Sequence, residues 1–104
     1  MRIRVSSPDH HLGSNDVDSI EKDLEKIDRR LREHANVTAV VRISETQGAP
    51  GFHAVVELDY GRNHLIAKAH HGDMGQAVRA ARDELMRQIN DRSRGGHSSF
   101  AKGT

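Results

Sequence analysis

The chain has no cysteine and no tryptophan, and only one tyrosine, two phenylalanines and two prolines. Without cysteine there is neither a disulfide framework nor thiolate chemistry. Without aromatics to spare, a base-stacking sheet surface is also excluded. That mode of RNA binding needs rings on the open face of a sheet, whereas Phe52 and Tyr60 share the apolar side of their segment. No apolar run approaches the length of a membrane span. The opening Met-Arg-Ile-Arg-Val carries no signal-peptide pattern, so a soluble cytoplasmic protein is expected. An excess of one charge is missing as well: 16 Lys and Arg face 15 Asp and Glu, for a formal net charge of +1. A polyanion partner must therefore be read from where the charges sit rather than from their sum. There is no nucleophile elbow, phosphate loop or metalloprotease helix, and Gly95-Gly96 opens no helix. The expectation is a protein that is not an enzyme and holds no cofactor.

What is present fits one domain of 104 residues, 35% hydrophobic and 30% charged, with a modest core of Val, Ile, Leu and Ala. The organising stretch runs from His64 to Arg92. Leu65, Ala67 and Ala69 alternate with Ile66, Lys68 and His70, which is strand periodicity. After Gly72 the period changes. Met74, Ala77, Val78, Ala81, Leu85 and Ile89 form one helical stripe, with Asp73 placed as N-cap.

In chain order, residues 2–6 read as a strand with Ile3 and Val5 inward, and Ser7 to Ser14 as a loop. A helix capped by Asn15 or Asp16 follows, with a seam of Val17, Ile20, Leu24, Ile27 and Leu31, ending near Ala35-Asn36. Val37 to Ser44 is a strand, Glu45 to Gly51 a loop, and Phe52 to Tyr60 an alternating strand. Gly61-Arg62 fits a two-residue hairpin turn. The turn pairs Tyr60 with Asn63, Leu58 with Leu65, Val56 with Ala67 and Ala54 with Ala69. On the other face it sets His53 opposite His70 and Asp59 opposite His64. The predicted fold is α+β: a two-layer β-α-β-β-β-α sandwich with a four-stranded sheet and two helices on one face. The domain covers residues 1–92. Residues 93–104, which have no period, read as a flexible tail.

Two groups of cations stand out. Lys22, Lys26 and Arg29, with Arg30 beside them, line the side of the first helix opposite its seam. Such a ridge suits a phosphate backbone. Spacing alone favours the commoner arrangement, a solvated face in which Asp18 pairs with Lys22 and Glu25 with Arg29. The second helix carries Arg79, Arg82 and Arg87, followed by Arg92 and Arg94; Asp83 is spaced to neutralise Arg79 and Arg87 in part. The eight histidines raise a metal site, but His53 and His70 lack a third ligand and His10-His11 sits in a loop. No metal site is expected.

Ala67-Lys68-Ala69, then Asp73-Met74, then Ala77, Val78, Asp83, Leu85, Arg87, Gln88 and Ile89 follow one another in the order of a known pattern. Lys22, Leu24, Lys26 and Ile27 add a second match. From about Met1 to Arg92 the chain resembles the ribosome hibernation-promoting factors, the family of the ribosome-associated translation inhibitor. That resemblance implies a fold like the double-stranded-RNA-binding domain. It also implies binding to the small ribosomal subunit and its rRNA at the decoding channel, covering the mRNA and A- and P-site tRNA positions. Translation would be inhibited by steric exclusion and inactive ribosomes preserved, as part of a stress response. The implied partners include neither DNA nor membrane, and off the ribosome the protein would be a monomer acting as a short form. The rRNA-binding candidates are Lys22, Lys26, Arg29, Arg79, Arg82 and Arg87. Departures from the pattern are Gly75 where Tyr is usual, Arg79 for Asp, Glu84 for Lys, and Asn90-Asp91 within a basic run. They leave a second expectation open: a non-catalytic regulatory protein-interaction module on the same fold.

Overall fold

The computed structural model describes residues 1–8, 11–45 and 50–102, with side chains placed through Ser93. His10 and residues 46–49 of the expected Glu45 to Gly51 loop lie outside the described residues. The elements are β1 (Arg2–Ser6), α1 (Ser14–Asp23), α2 (Glu25–Arg30), β2 (Val37–Glu45), β3 (Phe52–Tyr60), β4 (Asn63–His71) and α3 (Met74–Lys102). The strands form one sheet in the order β1-β2-β3-β4. β1 runs parallel to β2, as a strand that returns through a helical crossover must, and the other pairs are antiparallel.

The hairpin follows the expected register at every position, from Tyr60 opposite Asn63 to His53 opposite His70. Its turn explains why. Gly61 has φ +56 while among the described residues none other than glycine has positive φ, which is the II′ arrangement whose twist matches paired strands. Alternation then sends Ala54, Val56, Leu58 and Tyr60 of β3, and Leu65 and Ala67 of β4, to the buried face. α3 lies across β3 and β4 and adds Ala77, Val78, Ala81, Leu85 and Ile89 to the same core. Ile20, Leu24, Ile27 and Leu31 complete it from α1 and α2. Burying the Val, Leu and Ile side chains among these stabilises the fold by roughly 1.5–3 kcal/mol each.

Three local expectations are corrected. The first helix is capped by Gly13 rather than by Asn15 or Asp16. The Asp16 carboxylate reaches back and accepts from the Gly13 amide at 3.1 Å, so it serves from the N3 position as the second half of a capping box. The helix is also interrupted at Leu24, with φ −85 and ψ −3. There the Ile27 amide donates to the Leu24 carbonyl at 3.0 Å in a tightened turn. Finally, α2 stops at Arg30, short of Ala35-Asn36, and the His34 amide closes on the Leu31 carbonyl at 2.9 Å. That turn carries His34 to the edge of the Tyr60 ring, with centroids 5.1 Å apart.

α3 begins as expected: Asp73 Oδ2 accepts from the Gln76 amide at 3.0 Å. Its backbone continues helical to Lys102, beyond the Arg92 at which the sequence pattern ends, since extending a formed helix costs far less than starting one. No described helix is long and apolar enough to cross a membrane.

Candidate nucleic-acid interface

The seam of α1 and α2 fixes what faces out. With Leu24 and Ile27 fully buried, Lys22, Lys26 and Arg29 are all exposed. Among the described residues none of the three has a carboxylate within 4.0 Å. The pairs Asp18–Lys22 and Glu25–Arg29, allowed by spacing, do not form. The ridge therefore keeps three uncompensated charges, and a phosphate could approach without displacing a carboxylate from any of them.

The α3 cations are placed differently. Arg79 reaches across to α1, where its Nη1 donates to Asp23 Oδ2 at 3.5 Å. Arg82 is 12% exposed. Its Nε and Nη2 donate to Asp83 Oδ1 at 3.0 and 2.8 Å. Its Nη1 donates to the Asp23 carbonyl at 3.4 Å, the group that the interruption at Leu24 releases from the helical ladder. A cation at a helix C-terminus is favourable there. Arg79 and Arg82 thus join α3 to the end of α1, and Asp83 serves Arg82 rather than Arg79 and Arg87.

Arg87 is 61% exposed but held on both sides. Nη2 and Nε donate to the two Glu84 oxygens at 2.6 and 3.0 Å, and Nη1 to Asp91 Oδ2 at 2.6 Å. The hydrogen bond from Arg87, helped by one from Gln88, holds the Glu84 carboxyl pKa down to about 2, below the usual carboxylate range. The same bond to Glu84 pushes the Arg87 guanidinium upward. Of the six candidate contacts, the structure brings Lys22, Lys26 and Arg29 together as a free ridge and commits Arg79, Arg82 and Arg87 to acids.

Arg30, which the sequence places beside the ridge, continues it and donates from Nε to Asn90 Oδ1 at 3.2 Å. Nothing in the spacing signals a partner 60 positions away. On the open sheet face the histidines meet as the register requires. The His53 and His70 rings lie 4.8 Å apart, and His64 Nδ1 is 2.6 Å from Asp59 Oδ1. Among the described residues no three His, Asp or Glu side chains are grouped to hold a metal ion.

A four-stranded mixed sheet covered on one face by helices has solved counterparts. The crystal structure of the Thermus thermophilus Protein Y N-terminal domain superposes with a TM-score of 0.76 at 21% identity. The match covers 86% of this chain and 96% of that one. A ribosomal subunit interface protein from Coxiella burnetii gives 0.72 at 17% identity, covering 89% and 98%. At such identities the likeness establishes the fold. No curated protein sequence matches the chain significantly. The profile of the sigma 54 modulation protein / S30EA ribosomal protein family matches residues 3–94, and the chain belongs to that family. This is the kinship to which its motifs pointed.

Proposed function

We propose that the protein binds the small ribosomal subunit at the decoding channel, blocks mRNA and tRNA binding there, and so inhibits translation and preserves inactive ribosomes under stress. The observation that carries the reading is the uncompensated Lys22-Lys26-Arg29 ridge on a chain of the S30EA ribosomal protein family. Cations at helical spacing grip phosphates of folded rRNA, and the rigid two-layer body beneath them excludes other ligands. The mechanism is occupancy and involves no catalysis or cofactor. The protein works in the cytoplasm, as a monomer until it meets the subunit, through a domain spanning residues 1–92.

Competition on purified small subunits tests it. Added protein should co-sediment with the subunit and reduce binding of mRNA and of P-site tRNA in proportion to its occupancy. Co-sedimentation with undiminished mRNA and tRNA binding would overturn the placement at the decoding channel; absence of binding at low salt would overturn the whole reading. The neutralisation of Arg79, Arg82 and Arg87 favours a second reading, a regulatory module that binds another protein. Recovery of a non-ribosomal partner free of rRNA would select it.

A further inference from the structure

Where the ridge ends, the chain builds a cleft of about 290 Å³ between the end of α2, the β3–β4 turn and α3. Arg30, His34, Tyr60, Asn63 and Arg92 form its working wall. Two guanidiniums reach this cleft, and each is held by a neutral amide. Arg30 Nε donates to Asn90 Oδ1 at 3.2 Å, and Arg92 Nη1 donates to Asn63 Oδ1 at 3.0 Å. Elsewhere Arg42, Arg79, Arg82 and Arg87 all hold carboxylates. Among the described residues neither Arg30 nor Arg92 has a carboxylate within 4.0 Å, although Glu33 lies on the rim.

The distinction is chemical. An amide oxygen orients a guanidinium without cancelling its charge, whereas a carboxylate does both. Each amide occupies one edge of its arginine. Both Nη groups of Arg30, and Nε and Nη2 of Arg92, keep donors for an incoming oxyanion. The Tyr60 hydroxyl sits within electrostatic reach of both cations: burial pushes its pKa up, while Arg92 and then Arg30 pull it back. The His34 ring, set edge-on to Tyr60 at 73°, fixes that wall of the cleft.

We propose that this cleft binds a dianionic phosphate group, as inorganic phosphate or as the terminal group of a phosphate monoester, held by Arg30 and Arg92. Two guanidinium forks complement two negative charges, and the planar fork suits a tetrahedral oxyanion. The volume is at the small end of ligand pockets and fits a head group better than an extended molecule. The proposal stands apart from ribosome binding and needs no subunit for its test.

Inorganic phosphate and a nucleoside 5′-monophosphate are titrated separately into the full chain at constant ionic strength, following backbone amide NMR shifts. Saturable shifts confined to the neighbourhood of Tyr60, Asn63, Asn90 and Arg92 are expected. Arg30→Gln and Arg92→Gln should each weaken binding by about tenfold or more, as loss of a charge-assisted contact requires. The decisive variant is the double substitution Asn63→Asp with Asn90→Asp. It keeps both arginines anchored but neutralised, so the fold persists and binding is lost. Tighter binding of the nucleotide than of phosphate identifies a nucleotide as the source; equal binding identifies free phosphate. Non-saturating shifts with both probes overturn the proposal, as does wild-type affinity in the folded double variant.

Discussion

The division between free and committed cations makes a quantitative prediction for subunit binding. Among the described residues Lys22, Lys26 and Arg29 have no carboxylate to leave; Arg87 has two, both at 2.6 Å. Three phosphate contacts at roughly 0.9 counterion each give a slope of about −2.7 for log affinity against log salt. A roughly fourfold rise in salt then weakens binding about 40-fold. Lys22→Gln, Lys26→Gln and Arg29→Gln should each flatten the slope by about 0.9 and together remove it. Arg87→Gln should leave the slope where it was, because a phosphate gains little from a guanidinium it must first detach from Glu84 and Asp91. Co-sedimentation or fluorescence anisotropy with purified small subunits across a salt series supplies the measurement, with circular dichroism confirming that each variant folds. If Arg87→Gln flattens the slope as much as Arg29→Gln, the assignment of free and committed charge is wrong. If the triple variant keeps the wild-type slope, the ridge is not the contact.

Two further outcomes follow from geometry. Gly61 holds φ +56 at the hairpin turn. Gly61→Ala should cost about 1–2 kcal/mol by forcing a Cβ into the left-handed region. That lowers the thermal midpoint by roughly 4–8 °C per kcal/mol, and an unchanged midpoint in calorimetry would refute the turn assignment. Glu84 should titrate by carbon-detected NMR at about 2 rather than near 4.5. Because its folded value is depressed, the Glu84–Arg87 contribution to stability is fully present above about pH 4.5 and is lost as pH falls through about 2. A Glu84 midpoint near 4.5, or one unmoved by Arg87→Gln, would show that the clamp is absent in solution.

The sheet was legible because two independent signals agreed. A glycine at the first turn position and strict alternation in β3 and β4 allow one register, and a slip by one residue would expose the whole apolar set. The buried stripe of α3 was legible for the same reason. The interruption at Leu24 was not, because the seam steps of three and four continue through it without a proline or glycine. The charge pairs were the least legible. Spacing assigns Asp83 to Arg79 and Arg87, but the docking of α3 on α1 gives Arg79 an acid 56 positions away. Asn90 read in sequence as a gap in a basic run; in the fold it anchors Arg30. Helix spacing describes neighbours on one cylinder and is blind to the cylinder alongside.

A sheet of four strands has two borders, and each invites an uninvited strand. At the β4 border, Gln88 Nε2 donates to the Ile66 carbonyl at 3.1 Å while also reaching Glu84 Oε2 at 3.0 Å. A second molecule seeking to extend the sheet there must first evict a side chain already moored to its own helix. This single amide works as a selvedge, closing one carbonyl of the border against a strand from another molecule.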